Sequence, residues 1–402
     1  MNTTIPETVG LSSSRLGRID AAMQRYVNNG QLAGAITLLA RRGQVAHCGV
    51  YGQMDIAAGK QMREDAIFRV FSMTKPVTSL AVLMLYEEGA FHLQYPVSMF
   101  IPAFKDLQVL VGQGDNGQKL VPLERPVTIF DLLTHTSGLG YGLDCSTPVD
   151  ALYQRASLMR ADESMSEKID RIVQIPLHHQ PGKRYTYSMG TDVLGYLIEA
   201  ISGQPLDVFF KERIFEPLGM VDTGFYVPEE KLDRLAALYT PVPGIGLVDA
   251  ASVPGDPTQF PFGLWTDKSS KPAFLSGGGG LVSTAADFLR FAMMMRNKGE
   301  LDGARLVSRK TIELMTAPHL TPDQFFINGA SCGLGVLVLT DPAKAQMLGS
   351  PGAYEAGGAA LTEFWVDPQE ELVGVLMTQY IHTTPLLVGM DFKVLAAQAI
   401  AD

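Results

Sequence analysis

Apolar positions along the chain follow two patterns, and where each occurs divides the molecule. Near the start, "AGAITLLARRGQVAHCGVYG" (34–52) holds two apolar-rich runs that meet at Arg42-Gly43, which predicts an antiparallel hairpin. The far end mirrors it: "CGLGVLVLT", "GAALTEFWVDP" and "EELVGVLMTQYI" are three further β-rich runs, and a helix is expected from about 385 to 401. Between about Met99 and Leu275 the apolar spacing turns helical, broken by long loops rich in proline and glycine. There Thr128 is placed to cap "IFDLLTH" with Asp131 as third residue, and "GTDVLGYLIEAISG" and "PLDVFFKERIFEPLG" are amphipathic runs that end at Gly203 and Gly219. After the glycine run Gly277 to Gly280, Thr284 is placed to cap "AADFLRFAMMMRNKG". The expected fold is an α+β sandwich, an antiparallel sheet built from both chain ends and flanked by helices. Residues 1–98 and 275–402 form that part, and 99–274 form an inserted, mostly helical domain with a cleft between the two.

One run breaks the apolar pattern. "FRVFSMTKPVTSLAVLMLYEEGAF" (68–91) reads as a short strand, a sharp turn, and a helix that Gly89 stops. Val77, Leu80, Ala81, Met84 and Leu85 give that helix a wide buried face, yet Lys75 sits in its first turn, where burial and the helix dipole both disfavour a cation. Ser72 lies three residues earlier and shares its face. A serine hydroxyl becomes a strong nucleophile when a neighbour takes its proton, and the burial that penalises the ammonium favours the neutral amine that can do so. Ser72 is the only serine in the chain with a lysine three places on. A surface lysine beside a capping serine accounts for the pair equally well.

Composition narrows the classes. The chain has 402 residues, is 46% hydrophobic, and carries a net charge of -10 with pI near 5.2. It is long enough for a large core, and its acidity argues against nucleic acid or an anionic membrane as partner. No apolar run is long enough to span a bilayer, and the first twenty residues lack a cationic start and apolar core, so a cytoplasmic protein is expected. Cys48, Cys145 and Cys332 are few and far apart, which suits reduced thiols. No histidine or carboxylate spacing suggests a metal, and no cofactor is expected; the adjacent His178 and His179 would point apart.

A second element accompanies the serine and lysine. In "QPGKRYTYSMGTDVLGYLIEAISG" (180–203) a Pro-Gly turn and two tyrosines precede a helix, so Tyr187 can project into the cleft, where a nearby lysine would help it relay a proton. A buried tyrosine held by one hydrogen bond is the plainer alternative. "SMTK", "YTYSMG", "LLTHTSGL" and "GGGGLVSTAADFLRFA", in this order, resemble the serine β-lactamase and penicillin-binding-protein superfamily, in its class C-like branch with the family VIII carboxylesterases. The resemblance runs from about residue 10 to 395. It implies a β-lactamase-like fold and an acyl-enzyme mechanism with Ser72 as nucleophile, Lys75 as its activating partner and Tyr187 as general base or relay. The family's third motif, a triplet on the strand beside the serine, aligns with Ala356-Gly357-Gly358, to within one residue. By the same carry-over the N–H groups of Ser72 and Ala359 would hold the oxyanion. A turn or bulge would explain these glycines without chemistry.

Departures from the family pattern bear on substrate. β-Lactam-processing relatives usually open the triplet with lysine or histidine and carry asparagine two places after the tyrosine; here stand Ala356 and Met189. Both changes remove polar recognition, which suits a small neutral ester. A carboxylesterase is therefore expected ahead of an acyltransferase using the same acyl-enzyme, a β-lactamase or D-amino peptidase, and an inert binding module. "GASCG" (329–333) matches the nucleophile elbow of α/β-hydrolases around Ser331, but the β-like "LGVLVLT" follows instead of a helix, and His382 is the next histidine. His135 is expected to order its loop, and "AMMMRN" to pack the core.

Overall fold

A computed structural model describes the chain except for residues 115–116, 144–146, 161, 254–266, 326 and 382–385. Cys145 and His382 therefore lie outside the described residues, as does the first residue of the expected C-terminal helix. The strands of the main sheet are β1 (Gly34–Arg41), β2 (Gln44–Asp55), β3 (Lys60–Gln61), β4 (Ala330–Cys332), β5 (Leu337–Leu339), β6 (Tyr354–Gly358), β7 (Thr362–Asp367) and β8 (Leu372–Met377). They pair antiparallel in the order β4-β5-β6-β7-β8-β1-β2-β3, so the two chain ends meet where β8 pairs with β1. Arg42 and Gly43 both adopt positive φ (51° and 81°), the backbone that a two-residue hairpin turn needs to match strand twist.

Side-chain alternation explains why this sheet is covered on both faces. Along β1, Ile36, Leu38 and Ala40 enter the main core while Ala35 and Leu39 enter a second one; β8 divides the same way, Val373, Val375 and Met377 against Leu372 and Leu376. The second core is closed by helices α1 (Ser13–Asn28) and α6 (Val388–Ala397), through Leu16, Ile19, Met23 and Phe392. The main core holds α2 (Thr74–Glu87), buried without a break from Thr74 to Leu85, and α5 (Ala285–Arg296), which Thr284 caps by accepting the Asp287 N–H.

Along the chain, between the segments that supply the two halves of the sheet, come α3 (Ile129–Leu133), with a full Thr128–Asp131 capping box, and α4 (Gly190–Ser202), closed by Gly203 at φ 71°. Four expectations are corrected. The stretch 99–274 also holds two hairpins, Gln108–Gly114 with Gly117–Pro122 and Tyr239–Val242 with Gly246–Asp249; each is a local pairing whose short runs are too brief to stand out in the pattern. "GAALTEFWVDP" is not one strand, because the chain reverses between β6 and β7 with Leu361 at φ 56°. "PLDVFFKERIFEPLG" is helical throughout but takes π spacing over Lys211–Phe215, just before Pro217, whose missing N–H and ring prevent the regular ladder there. The last helix is shorter than expected at both ends.

Candidate active site

The sharp turn before α2 is carried by Phe71, a non-glycine residue at φ 44° whose side chain is buried in the main core. Left-handed backbone on a bulky residue is costly and persists only where packing enforces it. The neighbouring strand, Phe68–Arg69, is pinned to Val282–Ser283, and the Val70 N–H donates to the Leu281 carbonyl at 3.1 Å. Together these fix Ser72, half-buried, at the mouth of α2.

Two side chains meet that hydroxyl. Ser72 Oγ lies 2.6 Å from Tyr187 Oη, and Lys75 Nζ donates to Ser72 Oγ at 3.2 Å. Lys75 is 5% exposed, and its charge is answered locally. Its ammonium also donates to the Gly278 carbonyl at 2.5 Å and stands 4.6 Å from the centre of the Tyr187 ring and 5.6 Å from that of Tyr141. Tyr187 is held between His135, 5.0 Å away, and Tyr141, which stacks nearly parallel at 5.7 Å. His135 orders the tyrosine loop as expected: its carbonyl accepts the Thr186 N–H at 2.8 Å, and Nδ1 lies 3.1 Å from Ser188 Oγ. Burial, and then the Lys75 charge, hold the imidazole down to about 3, so it is neutral, with one ring N–H, near neutral pH.

The glycine run works through its backbone. Thr78 Oγ1 donates to the Gly277 carbonyl at 2.7 Å, one helical turn beyond the Lys75 contact with Gly278. From the other side the Asp192 carboxylate accepts the Ser276 hydroxyl at 2.6 Å and the Gly278 N–H at 3.0 Å. A Cβ on Gly277 would stand 2.7 Å from the Thr191 carbonyl, and one on Gly278 2.5 Å from the Asp192 carboxylate. Only glycine lets α2 and α4 share this loop.

Tyr354 and Ala356 face the main core from β6, while Gly357 is exposed. A Cβ on Gly358 would stand 2.3 Å from the Val70 carbonyl, so this glycine serves a close approach of β6 to the turn that carries Ser72. Ala359 follows in the exposed reversal. Met189 departs from expectation: its side chain is 1% exposed and packed in the core, and its N–H donates to the Gly140 carbonyl, so it presents no surface to open space. Ser331 lies on β4 and is spent on backbone, donating to the Leu320 carbonyl at 2.8 Å and accepting its N–H at 3.1 Å. His178 and His179 are buried with different partners, Asp150 for the first and Thr186 and Gln180 for the second. No metal-binding cluster occurs among the described residues. Met294 and Met295 are core residues.

Sequence reasoning missed Tyr141 and Asp192. Asp192 reads as an ordinary acid in the first turn of a helix, and Tyr141 as a residue in a glycine loop; only their burial and convergence on Lys75 and Gly278 set them apart.

The chain is similar to known proteins along nearly its whole length. The family model described as Beta-lactamase matches residues 19–399. Protein Rv1367c of Mycobacterium tuberculosis is 35% identical over 95% of this chain and 92% of its own, and esterase EstB of Burkholderia gladioli is 32% identical over 96% of both. Among solved structures, EstCE1, described as a hydrolase with promiscuous acyltransferase activity, superposes with a TM-score of 0.82 at 25% identity, covering 96% of this chain and 99% of that one.

Proposed function

The chain belongs to the beta-lactamase family, and from that premise we propose that it is a serine carboxylesterase acting on small neutral esters through an acyl-enzyme. The observation that carries the reading is the convergence of two groups on one hydroxyl, Tyr187 Oη at 2.6 Å and Lys75 Nζ at 3.2 Å from Ser72 Oγ. Ser72 attacks the ester carbonyl while Tyr187, the nearer group, takes its proton. The Lys75 ammonium neutralises the charge that develops on the tyrosine oxygen. The alcohol leaves with the proton from Tyr187, and water repeats the cycle on the acyl-enzyme. The N–H groups of Ser72 and Ala359 hold the oxyanion, a role supported by the closeness of β6 to Val70. The site lies between the two parts of the chain, since Ser72, Lys75 and Gly278 come from 1–98 and 275–402, and Tyr187 and Asp192 from 99–274. Ester chemistry is supported by the likeness to EstB.

The free thiols of Cys48 and Cys332 suit a cytoplasmic setting, and no helix among the described residues is long and apolar enough to cross a membrane. Acyl transfer to an alcohol is the second reading, favoured by the exposure of Gly357 and Ala359 beside the site and by the activity stated for EstCE1. Added alcohol partitions the acyl-enzyme between acid and new ester, which measures the balance directly.

A fluorophosphonate probe should label Ser72 alone, Ser72→Ala should abolish ester hydrolysis, and Ser331→Ala should keep most of it. Tyr187→Phe should lower kcat by about two to four orders of magnitude with little change in Tm. Labelling at Ser331 with Ser72 unmodified overturns the assignment, and wild-type turnover in Tyr187→Phe moves the base to Lys75.

A further inference from the structure

On the sheet face opposite Ser72, a cavity of about 350 Å³ lies between β5, β6 and β7, the 345–350 segment and α6. Its walls are largely apolar, with Leu339, Met347, Leu372 and Ala397 among them, and Ile327 and Leu348 stand exposed at its border. This volume is of the size that holds small ligands. Nothing in the proposed ester chemistry uses it.

Two polar side chains give the cavity its chemistry, and the Trp365 ring lines it, 8% exposed, with its indole nitrogen packed over Gly374 and sealed from the open space. Glu355 and Lys393 form the polar wall, paired at 2.7 Å, with Glu363 a further 3.4 Å from the same ammonium. Asp367 and Glu370 also line the cavity but are engaged: Asp367 accepts the Ser350, Gln369 and Glu370 N–H groups, and Glu370 pairs with Arg41. A ligand carboxylate would meet carboxylates and find its one cation already shared. A ligand ammonium would compete with Lys393 for the same oxygens.

We propose that this cavity is a second binding site, for a neutral aliphatic alcohol whose hydroxyl donates to the Glu355 carboxylate and whose chain lies against the Trp365 ring. The chain of the alcohol lies along the apolar wall. Because Glu355 immediately precedes the Ala356-Gly357-Gly358 segment, such an occupant and an ester at Ser72 would touch one strand, β6, at two points.

The site is separable from the catalytic one by where quenching occurs. Trp265 and Trp365 are the only tryptophans, so in a Trp265→Phe chain the emission reports the cavity alone. An ω-bromo-octanol should quench it saturably, and unbrominated 1-octanol should reverse the quench in competition. Competing 1-alkanols from hexanol to octanol should tighten by about fourfold per methylene, and octanoate and octylamine should each compete at least about tenfold more weakly than octanol. Ala397→Phe, which fills the cavity, should weaken binding by about tenfold or more while ester kcat is retained; Leu348→Phe at the border serves if that variant does not fold. Linear, unsaturable quenching, or saturable quenching untouched by both fillings, overturns the site. Competition by octanoate or octylamine as strong as that of octanol overturns the neutral-alcohol assignment. Loss of labelling at Ser72 would sink the esterase reading and leave this test unaffected.

Discussion

Lys75 shows what a single residue needs in order to violate its surroundings. A buried ammonium without partners would cost several kcal/mol; here one charge-assisted bond to the Gly278 carbonyl and two aromatic faces offset that cost. The misfit was legible because a lone cation in an apolar helix is visible at a glance, and so was Ser72, one turn before it. Tyr141 and Asp192 were not, since nothing in their neighbours along the chain distinguishes a buried tyrosine or acid from an exposed one. His135 leads to a prediction of its own. Its folded imidazole titrates near 3, against about 6.5 in an unfolded chain, because burial first and the Lys75 charge second disfavour the cation. Above about pH 6.5 neither state is protonated and the group leaves stability unchanged. Between about 6.5 and 3 the unfolded chain binds a proton that the folded site refuses, so stability falls as the pH drops through that window. His47 and His179, also lowered chiefly by burial, add in the same direction. Denaturant unfolding between pH 7.5 and 4.5 should show this loss, and His135→Gln should reduce its slope. A slope unchanged in His135→Gln would remove His135 as a source.

At the scale of elements, the helices and strands were predictable where one pattern held for a full element, as in α4 with its Gly203 cap or the β1–β2 hairpin with Arg42-Gly43. They were missed where a neighbour elsewhere in the fold decides: α1 is ordered by packing on α6, and β6 gives way to β7 at a reversal closed by Leu361 at φ 56°. The glycine run is the clearest case of sequence signal with structural cause, because at Gly277 and Gly278 the carbonyl has a named donor and the absent Cβ a named obstacle. Two glycine substitutions should therefore behave differently. Gly278→Ala puts a methyl 2.5 Å from the Asp192 carboxylate and forces apart that carboxylate and the loop it holds, whose Gly278 carbonyl accepts from Lys75, so kcat should fall by about tenfold or more. Gly203→Ala meets no neighbouring atom but forces alanine to φ 71°, so it should cost about 1 kcal/mol of stability with kcat unchanged. Paired measurements of kcat and Tm separate the two. Full activity in a folded Gly278→Ala would mean that the Gly278 carbonyl does not position Lys75.

At the scale of the molecule, the substrate class depends on which polar groups the assembled cleft lacks. The sequence offered two absences, at positions 356 and 189, and the structure separates them. Ala356 faces the main core side of β6, two residues before the close approach to Val70, whereas Met189 is buried and its replacement by asparagine would bury an amide. Ala356 alone is thus the place to restore a charge. If an apolar wall at Ala356 disfavours a substrate carboxylate, the wild-type protein should hydrolyse short-chain aryl esters far faster than any cephalosporin. Such a carboxylate would lose hydration there without gaining a cation. Ala356→Lys should raise the ratio of cephalosporin to ester kcat/KM by about tenfold or more, since a partly desolvated charge-assisted hydrogen bond contributes roughly 1.5 to 3 kcal/mol. Steady-state kinetics on p-nitrophenyl esters of graded length beside a chromogenic cephalosporin reads the ratio, with Tm confirming that the variant is folded. An unchanged ratio in folded Ala356→Lys, or a wild type that already prefers the cephalosporin, would show that this position does not set the substrate class.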